Sequence, residues 1–125
     1  MTQLGDFLRA QCANPNPWNC STMPADWCIA LGHPDFAAKW RDTIEPTACS
    51  AAQQGDGGLE ALWIAGIGSS IPEVEELRAG DIAVVALDDE QAGAIFTGER
   101  WAIRGQRTVH FLPMDALACI RAWRP

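Results

Sequence analysis

The chain changes character near Gly80, from helical spacing before it to closely spaced β-rich runs after it, and this order limits the available folds. The runs lie at 80–87, 92–98, 101–105 and 108–114 and follow one another at the intervals of β-hairpins. Apolar residues in the first part of the chain recur instead at i, i+3 and i+4. Helices followed by a series of strands predict an α+β domain, with N-terminal helices preceding a small antiparallel sheet.

Two helices are predicted in the first 32 residues. The first ends before the Asn-Pro-Asn-Pro segment at 14–17, because each proline restricts the residue before it. The second begins at a capping residue within 19–22 and ends at Gly32, a residue favoured at helix C-termini. The predicted buried positions of the two helices are Leu4, Phe7, Leu8, Cys12, Met23, Trp27, Ala30 and Leu31.

Two further short helices are predicted before the β-rich half. The third begins in the segment HPDFAAKWRDT at 33–43, and the fourth follows the Gly-Asp-Gly-Gly turn at 55–58. The fourth is expected to break at Gly66 and Gly68. The acidic segment at 73–77 is interpreted as a solvated turn or helix face.

Length and charge narrow the class of protein. A chain of 125 residues, 48% of them hydrophobic, is expected to form one domain over 1–125. The formal net charge of −7 disfavours nucleic acid as a partner. No segment approaches the roughly 18 apolar residues of a membrane span, and the N-terminus lacks the pattern of a signal peptide. The chain is therefore expected to start in a cytoplasm.

The last segment, 116–124, fits either a helical turn plus a strand or one short helix.

The chain contains five cysteines, namely Cys12, Cys20, Cys28, Cys49 and Cys119. Their odd number and wide spacing argue against a disulfide framework, and no Cys-x-x-Cys pair indicates a zinc site. Most are expected to be small buried side chains. No metal or cofactor is assigned, although a metal site built from distant cysteines and His33 stays open.

Cys20 is the strongest candidate for a catalytic residue, because it directly precedes the second predicted helix. A helix N-terminus lowers the pKa of a thiol and stabilises the thiolate, so Cys20 is a candidate nucleophile; a buried structural cysteine is the alternative. Such a nucleophile needs a base, usually a histidine. His33 would lie about 18 Å away at the other end of the same helix. His110, in a β-rich run, is therefore the remaining candidate base.

The residues around Cys20 and the first β-rich run resemble the NlpC-type branch of the papain-like cysteine peptidases. In that family an Asp-Cys-Ser motif opens a helix that ends in Leu-Gly, and Cys20-Ser21 and Leu31-Gly32 match in residue type and spacing. The segment AGDIAVV at 79–85 matches the family's Pro-Gly-Asp-Leu-Val-Phe-Phe strand. The resemblance implies a papain-like fold with Cys20 in the place of the nucleophile.

The catalytic histidine that the resemblance implies has no counterpart in the matching segment. In the family it opens a strand of the pattern His-Val-Gly-Ile-Tyr-Ile-Gly, which matches QAGAIFTG at 91–98. Either Gln91 or Ala92 then occupies the histidine position, and neither side chain acts as a base. Arg104 lies nearest to the third polar position, and Asn19 replaces the aspartate that precedes the nucleophile.

A narrower resemblance extends over nearly the whole chain. The segments FLRAQ, PWNCSTMPADWCIALGHPD, GDIAVV and the terminal Ala-Trp-Arg resemble an uncharacterised group of small proteins. These proteins are encoded in the tail-gene clusters of bacteriophages, prophages and gene-transfer agents. Members of that group resemble NlpC-type peptidases and often lack the histidine. The resemblance implies a virion-tail protein assembled in the host cytoplasm.

Three functions follow from these patterns. The first is a structural or adaptor component of a phage-type tail tip, or baseplate, on a catalytically degenerate NlpC-type fold, with tail-tip and hub proteins as partners. The alternative is an active cysteine peptidoglycan hydrolase, in which Cys20 attacks a stem-peptide carbonyl and His110 is the base. A metal or redox protein that uses the scattered cysteines is the third.

Overall fold

The computed structural model describes residues 3–13, 22–38, 58–87, 90–104 and 108–125. Within these ranges the helices are α1 (Gln3–Ala13), α2 (Thr22–Ala30) and α3 (Gly58–Ile67). The strands are β1 (Glu73–Val74), β2 (Ile82–Leu87), β3 (Glu90–Phe96), β4 (Arg100–Arg104), β5 (Val109–Pro113) and β6 (Ala118–Trp123). A 3-10 turn at Met114–Ala116 precedes β6.

The six strands form one antiparallel sheet in the order β1-β6-β2-β3-β4-β5. Each predicted β-rich run contains one strand, and the helices precede the sheet along the chain, so the α+β prediction is confirmed. The last segment is a helical turn plus a strand rather than one helix. This final strand, β6, lies between β1 and β2 and therefore inside the sheet.

The helices α1 and α2 pack against each other in antiparallel directions. The Gln3 side chain donates a hydrogen bond to the Ala30 carbonyl, and the rings of Phe7 and Trp27 lie 5.3 Å apart. The Trp27 indole N–H donates to the Gly80 carbonyl at 2.9 Å and ties α2 to the turn before β2. Among the helices in the described part of the chain, none is long and apolar enough to cross a membrane.

The two faces of the sheet bury two separate sets of side chains. The helices cover one face, where Met23 and Trp63 pack with Ile82 and other sheet residues. We call this the helix face. The opposite face buries Val85, Trp101 and their neighbours, and Leu77 and Leu117 from connecting segments pack against them. We call this the loop face. Successive strand residues alternate between the faces, so a residue's place in its strand decides which layer its side chain joins.

A bulge interrupts the pairing of β6 with β2. Val84 pairs with Arg121, whereas Val85 pairs with Cys119, so Ile120 is the extra residue. Arg121 therefore shares the helix face with Val84, and Cys119 lies opposite a residue of the loop face.

A buried carboxylate joins the start of β2 to the end of β6. Asp81 is 1% exposed and accepts two hydrogen bonds of 3.0 Å from the Arg124 guanidinium. It also accepts the Arg78 backbone N–H at 2.7 Å, and Arg124 donates to the Glu76 carbonyl. The segments GDIAVV and Ala-Trp-Arg, on which the resemblances rest, are therefore in direct contact.

The ends of α2 and α3 confirm part of the prediction and correct part of it. Gly32, at φ +95°, ends α2 as predicted, with the His33 N–H bonded to the Cys28 carbonyl and the Gly32 N–H bonded to that of Ile29. Gly68, at φ +55°, follows the last residue of α3. Gly66, however, lies inside the helix, where a Cβ atom would stand 2.1 Å from the Phe36 carbonyl oxygen.

Three other predictions differ from the structure. Cys12 and Ala30, which were predicted to be buried, are exposed in the last turns of α1 and α2. Helix α2 also buries Ala25 and Cys28, because it is enclosed over most of its circumference. The acidic segment at 73–77 includes strand β1, because its backbone pairs with β6 while the Glu73 side chain stays exposed. Of the predicted third helix, residues 36–38 form a turn, and the remainder lies outside the described residues.

Replacing Asp81 by Asn should lower the free energy of unfolding by about 2 kcal/mol, because a buried charge-assisted acceptor is lost. Urea denaturation measures this. The matched control is Asp6→Asn, which removes an exposed partner of Arg9 at 3.6 Å and should cost less than about 0.5 kcal/mol. Equal losses in the two variants would contradict the structural importance of the buried pair.

The thiol of Cys28 should be protected from alkylation in the native protein. Burial, with a further contribution from Asp35, raises its pKa from 9.0 to about 12, and the thiolate is the reactive form. Peptide mapping after iodoacetamide treatment at about pH 8 should find native Cys12 and Cys119 labelled, and Cys28 labelled only after denaturation. The unfolded chain loses this proton first, so stability should fall as the pH rises from 9.0 towards about 12.

Candidate functional site

Cys20, the candidate nucleophile, lies outside the described residues, as do Asn19, Ser21 and Cys49. The described chain resumes at Thr22, the first residue of α2. Thr22 follows Cys20 by two residues, so the N-terminus of α2 is the described part of the fold that bears on the candidate nucleophile. The role of Cys20 itself stays a prediction.

The contacts of α1 indicate towards which end of the sheet α2 begins. Gln3 contacts Ala30 at one end of the antiparallel helix pair. Gln11 and Met23 lie about 10 to 12 Å further along their helices and share the other end. Arg104, the last residue of β4, donates a hydrogen bond to the Gln11 carbonyl. Because β3 and β4 are antiparallel, the first residues of β3 lie at this same end.

Gln91, one of the two residues at the expected histidine position, lies near the start of β3 and bonds to α3. Its side-chain oxygen accepts the backbone N–H of Glu60 at 2.8 Å. Glu60 is in the first turn of α3, where backbone N–H groups have no partner within the helix. Gln91 therefore caps α3 from a neighbouring strand.

Ala92, the other residue at the histidine position, points to the opposite layer. It is 6% exposed and belongs to the loop-face cluster, away from the helices. Of these two adjacent residues, only Gln91 lies on the side that carries α2 and α3. A proton acceptor of the histidine type stands at neither position.

His110, the candidate base, lies on β5 and is exposed. It pairs with Ile103, whose side chain belongs to the loop face, and directly opposed residues of an antiparallel pair project to the same side. β5 is also two strands from β3 in the sheet, or about 10 Å. The structure thus places His110 away from the face that carries α2. Its pairing with Cys20 stays a prediction that the described residues do not support.

Arg104, which lies nearest to the expected third polar position, supports α1. It is 6% exposed, and its guanidinium meets a carbonyl in the last turn of α1. A cation at a helix C-terminus offsets the partial negative charge of the terminal carbonyls. The backbone of His33 closes the C-terminus of α2, which matches its expected place at the helix end.

The cysteines within the described ranges differ in their burial. Cys28 is buried, whereas Cys12 and Cys119 are exposed, so the expectation of mostly buried cysteines is met by one of the three. Partial burial also raises the pKa of Cys119. In the described part of the chain no cluster of His, Cys, Asp and Glu has an arrangement suited to a metal ion.

The sequence patterns do not reveal a cavity of about 340 Å³ beside α3. Its lining residues are Ile64, Gly68, Ser69, Ile71, Pro72, Glu73, Arg121 and Trp123. The Arg121 guanidinium lies between two carboxylates, at 2.9 Å from Glu60 and in contact with Glu73. These two carboxylates raise the pKa of Arg121. The charged lining residues, Glu73 and Arg121, come from two distant segments, so no local spacing could have identified the cavity.

Comparison with known proteins gives one match. No curated protein and no solved structure matches the chain. A family model, the domain of unknown function DUF6950, matches residues 1–125. The match extends over the α1–α2 pair, the sheet and the cavity alike. The chain therefore belongs to the DUF6950 family.

Proposed function

We propose that this chain is a catalytically degenerate papain-like domain of the NlpC type that serves as a structural or adaptor component of a phage-type tail tip. The observation that carries the proposal is the arrangement at one end of the sheet. There the helix-face residue at the start of β3, which is one of the two expected histidine positions, is Gln91, and its side chain caps α3. Assembly into a virion tail within the host cytoplasm follows from the sequence resemblance.

The end of the sheet towards which α2 begins supports the papain-like part of the proposal. A cysteine nucleophile and its base must come within hydrogen-bond reach of each other. Here α2 begins towards the end of the sheet at which β3 starts, in the chain order that the resemblance implies. The β2–β3 hairpin also follows the order of the matching motifs, with Ile82 paired to Ile95.

The replacement of the histidine supports the non-catalytic part of the proposal. A carboxamide takes up no proton near neutral pH, and the oxygen of Gln91 is already bonded to α3. A thiol without a base lacks both a proton acceptor for its activation and a proton donor for the leaving amine. The hydrolase alternative would require His110, which lies on the loop side of the sheet.

Contacts with tail proteins would use exposed apolar side chains other than the four tryptophans that the structure describes. Trp27, Trp63, Trp101 and Trp123 are at most 4% exposed, so these four serve the core. Within the described ranges, the large apolar side chains that remain exposed are Ile29, Ile64, Phe111, Met114 and Ile120, at 37 to 51%. These exposed side chains are the apolar groups that a partner could contact.

Purified protein should release no more peptide fragments from peptidoglycan than its Cys20→Ala variant does, because the thiol lacks a base. Mass spectrometry of the soluble muropeptides measures this. His110→Ala is the second comparison, because His110 is the only other candidate base. Hydrolysis by the wild type that is lost in Cys20→Ala would establish the peptidase activity and reject the degenerate-enzyme proposal.

Deletion of the gene from the phage or prophage that encodes it should abolish infectious particles or leave tails without complete tips, as seen by electron microscopy. Complementation by the wild type and by Cys20→Ala should restore particles equally, because the proposed role needs the fold and not the thiol. Normal particles after deletion would rule out an essential tail-tip role.

Gln91→Ala should lower the free energy of unfolding by about 1 kcal/mol, because the first turn of α3 loses its capping acceptor. Gln91→Glu keeps an acceptor oxygen at the helix N-terminus and should retain most of the stability. Chemical denaturation of the wild type and the two variants measures these free energies of unfolding. If both variants matched the wild type in stability, the capping role of Gln91 would be wrong.

A further inference from the structure

The cavity beside α3 has apolar lining on α3 and on the segment that follows it. Ile71 is buried, with 2% exposure, Pro72 lies next to it in the chain, and Ile64 of α3 is 44% exposed. The volume of about 340 Å³ falls within the range of small-molecule sites, which is about 300 to 1,000 Å³. A short aliphatic stem therefore finds apolar contacts in this cavity.

The charged part of the lining is one guanidinium and one carboxylate, and both retain hydrogen-bonding capacity. Arg121 has five N–H donors, of which the one on Nε bonds to Glu60 and one on Nη1 bonds to Glu73. Its three other N–H groups have no protein partner within the described residues. The second carboxylate oxygen of Glu73 likewise lacks a partner in that part of the chain. The lining therefore offers free donors and a free acceptor on two side chains that touch.

The contact between these two side chains opposes a ligand of either charge. A cation that reaches Glu73 also meets the positive N–H groups of Arg121, from which it cannot accept a hydrogen bond. An anion that reaches Arg121 meets the carboxylate of Glu73, and Glu60 already bonds to the same guanidinium. An uncharged polar group meets neither opposition, and it avoids the free-energy cost of removing a charge from water.

A primary carboxamide is the uncharged group that matches both free functions. Its oxygen accepts hydrogen bonds and its NH₂ group donates them, and these are separate atoms, so Arg121 and Glu73 can be bonded at the same time. A hydroxyl must make both bonds through one oxygen, and an ester has no donor for Glu73. The pattern of free donors and a free acceptor therefore favours an amide over the other uncharged groups.

We propose that this cavity binds a primary carboxamide on a short aliphatic stem, the chemistry shared by a glutamine side chain and a free aliphatic amide. The amide oxygen accepts from Arg121, the NH₂ group donates to Glu73, and the stem contacts Ile64. The proposal goes beyond the tail-tip function and does not depend on it, because it needs neither Cys20 nor Gln91.

Titration with four five-carbon probes tests the preference for an amide. The probes are pentanamide, 1-pentanol, n-pentylamine and pentanoate. The readout is the methyl resonances of Ile64 and Ile71 in two-dimensional NMR, with Ile29 on α2 as the reference that should not shift. Pentanamide should bind about fivefold more tightly than the alcohol, as expected for one additional hydrogen bond, and more tightly than both charged probes. Another probe that binds as tightly as pentanamide, or no saturable shift with pentanamide, would overturn the proposal.

Two variants test whether the paired charges exclude charged ligands. Glu73→Gln should raise the affinity for pentanoate about threefold, and Arg121→Gln should do the same for n-pentylamine, because each removes the group of like charge. The controls Glu99→Gln and Arg100→Gln make the same charge changes at exposed positions between β3 and β4 and should leave both affinities unchanged. Equal effects at the cavity and at the control positions would show only general charge attraction and reject the site. If Arg121→Gln does not fold, Glu73→Gln and its control decide the outcome.

A fifth probe separates the two sources of the ligand. Glutamine capped at both ends presents the same carboxamide on a polypeptide backbone. Tighter binding of the capped glutamine than of pentanamide indicates a partner protein, and the reverse order indicates a free amide. Either order supports the site, because both require recognition of the carboxamide; a failure of both probes to bind rejects it.

Discussion

The contact between the buried carboxylate of Asp81 and the Arg124 guanidinium is the constraint on which the arrangement of the sheet depends. Asp81 directly precedes β2 and Arg124 directly follows β6, so one ion pair joins two adjacent strands at the same end. Arg124 also reaches the Glu76 carbonyl and so holds the segment after β1. Trp123, one residue earlier, is thereby kept in the core against Trp63. A carboxylate removed from water needs this many donors, and the backbone of the turn before β2 supplies another.

The two-residue period of the strands then decides which side chains meet the helices. Gln91 and Ala92 are neighbours in sequence, yet one bonds to α3 and the other lies in the opposite layer. The same rule places His110 with Ile103 on the loop face. Whether a residue of the sheet can act as the catalytic base therefore depends more on the face to which its side chain points than on its separation from Cys20 in the sequence. A histidine in the sheet is relevant to the α2 N-terminus only if it occupies a helix-face position.

Sequence patterns predicted the order of helices and strands, because apolar periodicity reflects burial on one side of an element. They also predicted the end of α2, since Gly32 adopts a backbone conformation that favours glycine. The predicted burial of Ala30 was wrong. Helix α2 is enclosed on several sides, so its buried residues do not form the single apolar stripe on which that prediction relied. Strand β1 was missed because two residues carry no detectable period. The cavity was missed for another reason: Glu73 and Arg121 meet only through the pairing of β1 with β6, and Glu60 joins them only through the packing of α3 on the sheet.

The bulge at Ile120 divides β6 into two segments of different pairing register. On its C-terminal side, Arg121 and Trp123 both belong to the helix face, where one bonds to Glu60 and the other packs on Trp63. Loss of one residue at the bulge would leave that pairing intact, because the extra residue has no partner to lose. Loss of one residue between Arg121 and Trp123 would instead send one of them to the wrong layer. Strand β6 of this chain therefore has a point that tolerates a change in length, directly beside a segment that does not.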